Sequence, residues 1–162
     1  MNYFLLALSL IYVFVSCELS TEQETALNRD TSELINARNR GDALSYLNYT
    51  HPLVVKHYKL QGDSIFKARF QEVEPKTNHE VYFPEDEILW RNSFYRSFKS
   101  NDSIIQVEIE ISLSEGREDL DSTVKVYGIT GKENSKWLFV EERDYYADYF
   151  PKELRLFERS IP

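Results

Sequence analysis

IQVEIEISL, residues 105–113, places an apolar side chain at every second position. The apolar residues alternate with Gln, Glu and Ser, and this period of two is typical of a β-strand with one face on a core and the other in water. We therefore predict a half-buried strand at residues 105–113. The segments on either side decide which kind of sheet this strand joins.

Further strands are predicted on both sides of it, in segments where β-branched and aromatic residues recur. They lie at residues 80–83, 89–98, 123–130 and 136–143. Turn-rich stretches at 114–116 and 131–135 separate consecutive strands, and strands joined by short connections pair antiparallel. The sequence therefore predicts an antiparallel sheet in the second half of the chain.

An acidic group lies between two of these predicted strands and consists of Glu118, Asp119 and Asp121. It lacks the ligand spacing and the glycine of a calcium-binding loop. We therefore interpret it as a solvated hairpin loop.

The first half of the chain has a helical period instead. Thr21 and Glu24 have the spacing of a capping box, and the apolar pattern predicts a long amphipathic helix at residues 22–40 that Gly41 ends. Asp42 is predicted to cap a second helix, which must end before Pro52 because the residue before a proline disfavours the helical region.

Two more helical segments are predicted before Pro75. Residues 53–58 form a short helical or irregular piece, and Asp63 can cap a helix that continues through Phe70. Helices followed by antiparallel strands define the α+β class, with the helices packed on one face of a curved sheet. The aromatic tail at 145–157 is predicted to pack back over the edge of this domain.

Composition narrows the possible partners. The chain has 162 residues, of which 42% are hydrophobic, and it carries a net charge of −8. A negative protein repels a phosphate backbone, so nucleic acid is a poor partner. Cys17 is the only cysteine, which excludes an internal disulfide and every site that needs several thiolates.

An apolar run at residues 3–15 precedes this cysteine, and the chain becomes polar directly after it. The run is shorter than the roughly 20 residues of a membrane-spanning helix and has the length of a signal-peptide hydrophobic region. We interpret it as an export signal.

The junction at Val15, Ser16 and Cys17 resembles the lipobox of bacterial lipoproteins, although Phe14 stands where that family usually has Leu and no Lys or Arg lies near Met1. The resemblance implies a signal peptide at 1–16 that is cleaved and a Cys17 that is acylated, for example with palmitate. It further implies a tether at 17–21, a single domain at 22–162, and a membrane-bound location in the cell envelope, facing the periplasm or the exterior. The alternative is an ordinary cleaved signal peptide followed by an incidental cysteine.

Three further segments carry a second resemblance. They are Asn39-Arg40-Gly41-Asp42 after the long helix, Tyr49-Thr50-His51-Pro52, and Tyr127-Gly128-Ile129 leading through a turn to Lys136-Trp137-Leu138-Phe139. Residues 22–145 thereby resemble the nuclear-transport-factor-2-like superfamily, whose cone-shaped, cystatin-like fold is shared with ketosteroid isomerase. That superfamily contains isomerases, dehydratases and plain binding modules, so the fold implies no single function.

No complete catalytic or metal-binding motif is present. Gly62-Asp63-Ser64-Ile65 resembles the serine block of GDSL-type hydrolases, but the Asp-x-x-His motif of that family is missing, and a serine without a base is a weak nucleophile. His51 and His57 are six residues apart and would not share a helix face, and His79 lies in another segment. We therefore name no catalytic residue, no metal ligand and no cofactor.

A cone fold has a hollow between its sheet and its helices, and aromatic residues could line it. The candidate pocket residues are Tyr46, Tyr49, His51 and Tyr58 from the helices and Trp90, Tyr95 and Trp137 from the strands. The alternative is that they fill the hollow as core. In the tail, Tyr146 and Tyr149 are candidates for a partner surface, unless they pack on the domain instead.

We therefore expect a membrane-tethered binding or interaction module of the cell envelope. Its partner would be an envelope protein or a small apolar ligand, and a homodimer is possible. The alternative is a small-molecule isomerase, dehydratase or hydrolase that uses the cone pocket. A continuous pocket with a carboxylate beside His51 or Tyr49 would favour the enzyme, whereas a filled hollow and exposed aromatic residues would favour binding.

Overall fold

The computed structural model describes residues 19–70, 88–115 and 118–159. The predicted signal peptide, Cys17, the predicted strand at 80–83 and His79 lie outside the described residues. Within the described ranges, no helix combines the length with the hydropathy that crossing a bilayer requires.

Four helices come first, as the helical period predicts. They are α1 (Thr21–Asn39), α2 (Ala43–Tyr49), α3 (Pro52–Leu60) and α4 (Asp63–Phe70). Gly41 has a φ of 68° directly after α1, and Asp42 N–H donates to Ala37 O over 2.9 Å. This is a Schellman ending, in which glycine tolerates the left-handed conformation. Asp42 caps α2 as predicted, because its side chain accepts from Ser45 N over 3.0 Å.

Two predicted caps were wrong by one residue. The capping box of α1 joins Ser20 and Gln23 rather than Thr21 and Glu24: the Ser20 hydroxyl accepts from Gln23 N, and Gln23 Oε1 accepts from Ser20 N. Both pairs have the required spacing, but Ser20 has the extended backbone of a cap and Thr21 is already helical. Asp63 is likewise the first residue of α4 rather than the residue before it.

A four-stranded antiparallel sheet follows, with strand order β1-β2-β3-β4 among the described residues. The strands are β1 (Ile88–Ser100), β2 (Ile104–Glu115), β3 (Glu118–Gly131) and β4 (Leu138–Glu141). In β2, Val107, Ile109 and Ile111 are buried and Glu108 and Glu110 are more exposed. The alternation predicted for this strand is therefore confirmed, and the protein belongs to the α+β class.

Two boundaries of the sheet differ from the prediction. The acidic group at Glu118, Asp119 and Asp121 is part of β3 and not a loop, because Glu118 pairs with Glu115 and extends the ladder beyond the apolar alternation. Strand β4 ends at Glu141, and the predicted strand residues that follow form a short helix, α5 (Glu142–Tyr145). This turn directs Asp144 and Tyr145 into the interior, where both are buried.

The helices cover one face of the sheet. Their buried side chains, which include Leu27 and Leu34, join Ile109, Ile111 and Phe139 of the sheet in a single core cluster. Asn39 ties α1 to β1, since its side chain accepts from Trp90 N and donates to Trp90 O. These contacts fix the long first helix across the sheet.

The tail packs back on the domain, but it covers part of the opposite face of the sheet and not only the predicted edge. The ring of Tyr145 stacks on Tyr127 with centroids 3.9 Å apart, and Phe150 and Phe157 are buried. Gln106, a polar residue of the alternating stretch, is consequently buried as well, and its side chain accepts from Tyr145 Oη over 2.6 Å. The polar face of β2 is thus not wholly in water.

Candidate functional site

The hollow between the helices and the sheet is almost filled. A cavity of about 10 Å³ remains, bordered by apolar side chains of both layers together with Tyr46, Arg69, Glu141 and Asp144. A volume of this size is at the lower limit for a single water molecule. As the described residues border it, this space is too small for an organic substrate unless the core rearranges.

Of the seven candidate pocket residues, Tyr46 and Trp90 border this cavity. Trp137 is buried elsewhere: its backbone N–H donates to Asp30 Oδ2 over 2.9 Å and its indole N–H to Gln23 O over 3.0 Å. Tyr95 is exposed, and its hydroxyl donates to Asn28 on α1 over 2.6 Å. These two residues position α1 and do not line a pocket with Tyr46.

The remaining three candidates are Tyr49 at the end of α2, His51 at the start of α3 and Tyr58 within α3. His51 Nδ1 accepts from Leu53 N over 3.3 Å and so caps this helix, and burial lowers the pKa of its imidazole, which favours the neutral form. Tyr49 is half-buried, with the Lys136 ammonium 6.0 Å from its ring centroid. The seven residues therefore do not converge on a single ligand-sized pocket.

A buried charge cluster, which the sequence reasoning missed, borders the cavity. Arg69 Nη2 donates to Glu141 Oε1 over 2.9 Å and to Asp144 Oδ2 over 2.8 Å. The cluster also includes three tyrosines. The Tyr46 hydroxyl donates to Glu141 over 2.8 Å, and Asp144 Oδ1 accepts from Tyr58 and from Tyr149 over 2.9 and 2.7 Å.

The charges in this cluster hold one another in their ionised forms. Burial raises the pKa of the Glu141 and Asp144 carboxyl groups, but the charge of Arg69 and the hydrogen bonds they accept outweigh it, so both pKa values lie below their ordinary range. Burial, followed by the charge of Glu141, raises the pKa of Tyr46. A carboxylate that is paired and hard to protonate is a weak general base. The arrangement is suited to joining α4 and α5 to the domain.

The pairing of Arg69 is incomplete. Its Nε and Nη1 atoms are buried and have no hydrogen-bond acceptor among the described residues. The guanidinium therefore relies on Nη2 for its contacts with both carboxylates.

The two tail tyrosines are half-buried. The Tyr149 ring stacks on His57 with centroids 3.5 Å apart. The Tyr146 hydroxyl lies 3.1 Å from that of Tyr127 and donates to Glu158 O over 3.1 Å. Both side chains are thus engaged within the domain, and other aromatic residues are more accessible.

The more accessible aromatic residues lie on β1. Phe94, Tyr95 and Phe98 are 53%, 41% and 40% exposed. Tyr95 and Phe98 border a groove of about 420 Å³ beside the start of α1, which also includes Leu19 and Leu27. Exposed aromatic side chains of this kind are enriched in protein interfaces.

A second open groove, of about 570 Å³, lies between α2, α3 and β4. Its apolar side chains include Leu47, Val55, Leu60 and Leu138, and it carries the lysines Lys56, Lys59 and Lys136. Sequence reasoning missed it because Lys136 comes from the turn before β4, far along the chain from α3. The signal available in the sequence was the spacing of Lys56 and Lys59, which places them on one helix face.

Among the described residues, no group of three or more His, Cys, Asp or Glu side chains is placed to hold a metal ion. No protein-family model, curated protein or solved structure matches the chain.

Proposed function

We propose that this protein is a binding module of the bacterial cell envelope, held at a membrane by lipid on Cys17. Its domain, in this proposal, has the cone-shaped fold that the sequence resembles. The order of elements supports this fold, because a long helix and shorter helices precede an antiparallel sheet and cover one of its faces.

The observation that carries the proposal is the filled interior. The cavity of about 10 Å³ that the described residues border in the interior is too small for a substrate, whereas grooves of about 420 and 570 Å³ lie at the surface. Binding at the surface requires no internal pocket, whereas sites for small organic molecules typically enclose several hundred Å³. A partner is therefore bound on the outside of the domain.

The tether is supported by the sequence around Cys17. Helix α1 begins at Thr21, so Cys17 is four residues before the folded domain. A chain of this length spans at most about 14 Å. Lipid on Cys17 holds the domain close to the membrane surface.

The alternative from a different class is a small-molecule isomerase, dehydratase or hydrolase. It is favoured by the buried cluster, in which a tyrosine hydroxyl and a carboxylate meet at the cavity, Tyr46 to Glu141 over 2.8 Å. Such an enzyme would need the core to open around Tyr46.

Complementation of the deletion phenotype by variants distinguishes the binding module from the enzyme. Tyr46→Phe keeps the ring and removes the hydroxyl that meets Glu141, and His51→Asn keeps a side chain able to cap α3. A binding module retains function within about twofold in both variants, whereas removal of a catalytic acid or base costs roughly a hundredfold or more. Circular dichroism checks that each variant is folded. Loss of function in a folded Tyr46→Phe variant would contradict the binding module and support the enzyme.

A further inference from the structure

The groove between α2, α3 and β4, here called the lysine groove, contrasts in charge with the rest of the molecule. The chain has a net charge of −8, yet the ten residues that border the groove include three lysines and no acid. Lys56 and Lys59 lie one turn apart on α3, and Lys136 is contributed by the segment before β4. The field at this groove therefore attracts anions that the remaining surface repels.

The three ammonium groups are not engaged with carboxylates of the described residues. Lys59 Nζ lies 5.6 Å from the centroid of the Phe66 ring, and Lys136 Nζ lies 6.0 Å from that of Tyr49. All three side chains are exposed. An incoming carboxylate can pair with them without breaking an existing ion pair among the described residues.

The floor of the groove is apolar. Leu47, Val55 and Leu138 are half-buried, and Leu60 is 78% exposed at the end of α3. A partner that covers Leu60 removes apolar surface from water, which is worth about 25 cal/mol per Å². The groove thus combines a hydrophobic contact with three positive charges.

We propose that the lysine groove binds an acidic, partly apolar segment of a partner protein. Its carboxylates pair with Lys56, Lys59 and Lys136, and its apolar side chains pack on Leu60 and the groove floor. A peptide suits the site better than a small metabolite, because the groove is open to solvent, whereas small ligands are typically enclosed by their pockets. This inference rests on the proposed function and specifies the partner class of that binding module.

The probe for this site is a labelled peptide of alternating leucine and aspartate, titrated with the full mature chain and followed by fluorescence anisotropy. Charge reversal in Lys56→Glu/Lys59→Glu is expected to weaken binding at least tenfold. The matched control is Lys132→Glu/Lys152→Glu, which makes the same change in net charge at exposed lysines outside the groove. The control is expected to remain within twofold of the parent.

A second pair of variants tests the apolar contact. Leu60→Asn removes an exposed groove side chain and is expected to weaken binding about fivefold. Leu44→Asn is the control, because Leu44 is 79% exposed and does not border the groove. Both positions are so exposed that folding is not at risk in either variant.

Four results would overturn the inference. The two charge reversals could weaken binding equally, or a peptide with lysine in place of aspartate could bind as well as the acidic peptide. The chain could also bind decanoate but not the acidic peptide, or it could fail to bind the acidic peptide at all. Since the assay measures neither lipidation nor catalysis, its failure is separate from failure of the proposed function, which rests on Cys17 and on complementation by Tyr46→Phe.

Discussion

Arg69 is a guanidinium held almost out of water between two carboxylates. It contacts Glu141 and Asp144, which are 72 and 75 residues further along the chain. A buried ion pair of this kind recovers the cost of removing the charges from water only while its partners remain in place. The same carboxylates also accept hydrogen bonds from tyrosines of α2, α3 and the tail. The cluster around Arg69 thereby joins α2, α3, α4, β4, α5 and the tail.

Replacement of Arg69 by methionine is expected to cost about 3 to 5 kcal/mol of unfolding free energy at neutral pH, because it leaves Glu141 and Asp144 buried without their cation. Arg143→Met is the control. Arg143 also contacts Glu141, over 3.3 Å, but its side chain is 55% exposed, and surface ion pairs contribute at most about 1 kcal/mol. Urea denaturation measures both variants. Equal costs would mean that burial of Arg69 does not matter.

The unfolding free energies of the parent and of Arg69→Met should respond to acid in opposite directions. In the parent, the pKa values of Glu141 and Asp144 are lowered by folding, so their contribution is present above the unfolded pKa values of roughly 4 and is lost as the pH falls through the folded ones. Without Arg69, burial raises these pKa values and acid favours the folded variant. The difference in unfolding free energy between the parent and Arg69→Met should therefore shrink as the pH falls from 7 towards 3, as urea denaturation at each pH would show. A constant difference would contradict the assigned charges.

The sequence could not have identified this cluster. Arg69 lies next to Phe70 in a helical pattern, and such an arginine is ordinarily on the surface. The sequence predicted a strand at Glu141, but nothing in either pattern indicates that the two side chains meet. Their meeting depends on where α4 packs and on the turn that begins α5, which are tertiary features. Local reasoning succeeded for Asp42, which was predicted to cap α2 and does so, because a side chain at the start of a helix can act as a cap without any distant contact.

At the scale of elements, the fold class followed from periodicity. The helical pattern before Pro75 and the alternation in β2 both reappear in the structure because each reflects one face turned towards a common core. Element boundaries were harder to predict. Strand β3 extends back to Glu118 through backbone pairing with β2, and hydrogen bonds of this kind leave little trace in side-chain polarity.

Strand β2 offers a direct test of its orientation. Ile109 is fully buried at the centre of the core, so Ile109→Asp should cost on the order of 4 kcal/mol or more by burying an unpaired charge. Glu108 is the neighbouring control on the other face, where its nearest cation, Lys125, is 3.9 Å away, and Glu108→Gln should cost less than about 0.5 kcal/mol. Chemical denaturation compares the two. A larger loss of unfolding free energy in Glu108→Gln than in Ile109→Asp would mean that Glu108, and not Ile109, faces the core.

In the molecule as a whole, the described residues form a nearly filled interior and several open surface grooves. The groove bordered by Leu19, Tyr95 and Phe98 lies beside the start of α1, which is the point where the proposed tether joins the domain. The lysine groove is formed instead by α2, α3 and β4. A domain held by its N-terminus would retain the lysine groove as a separate surface for a partner.

Most of the candidate site could not be predicted from the sequence. Aromatic composition correctly indicated a rich core, but it did not show that Trp137 would bond to α1 or that Tyr95 would remain exposed. Both outcomes depend on which helix covers which part of the sheet. The lysine groove likewise requires Lys136 to meet α3, and no local pattern specifies that approach.

Lipid on Cys17 is what we propose to hold this domain at a membrane, and intact mass spectrometry of the protein isolated from the cell envelope decides whether it is present. We expect a mature chain that begins at Cys17 and carries the added mass of its acyl groups, and a Cys17→Ser variant that is either left unprocessed or released in soluble form. A mature chain with an unmodified Cys17, or one that begins downstream of it, would mean that the domain is not held at a membrane by lipid on this residue.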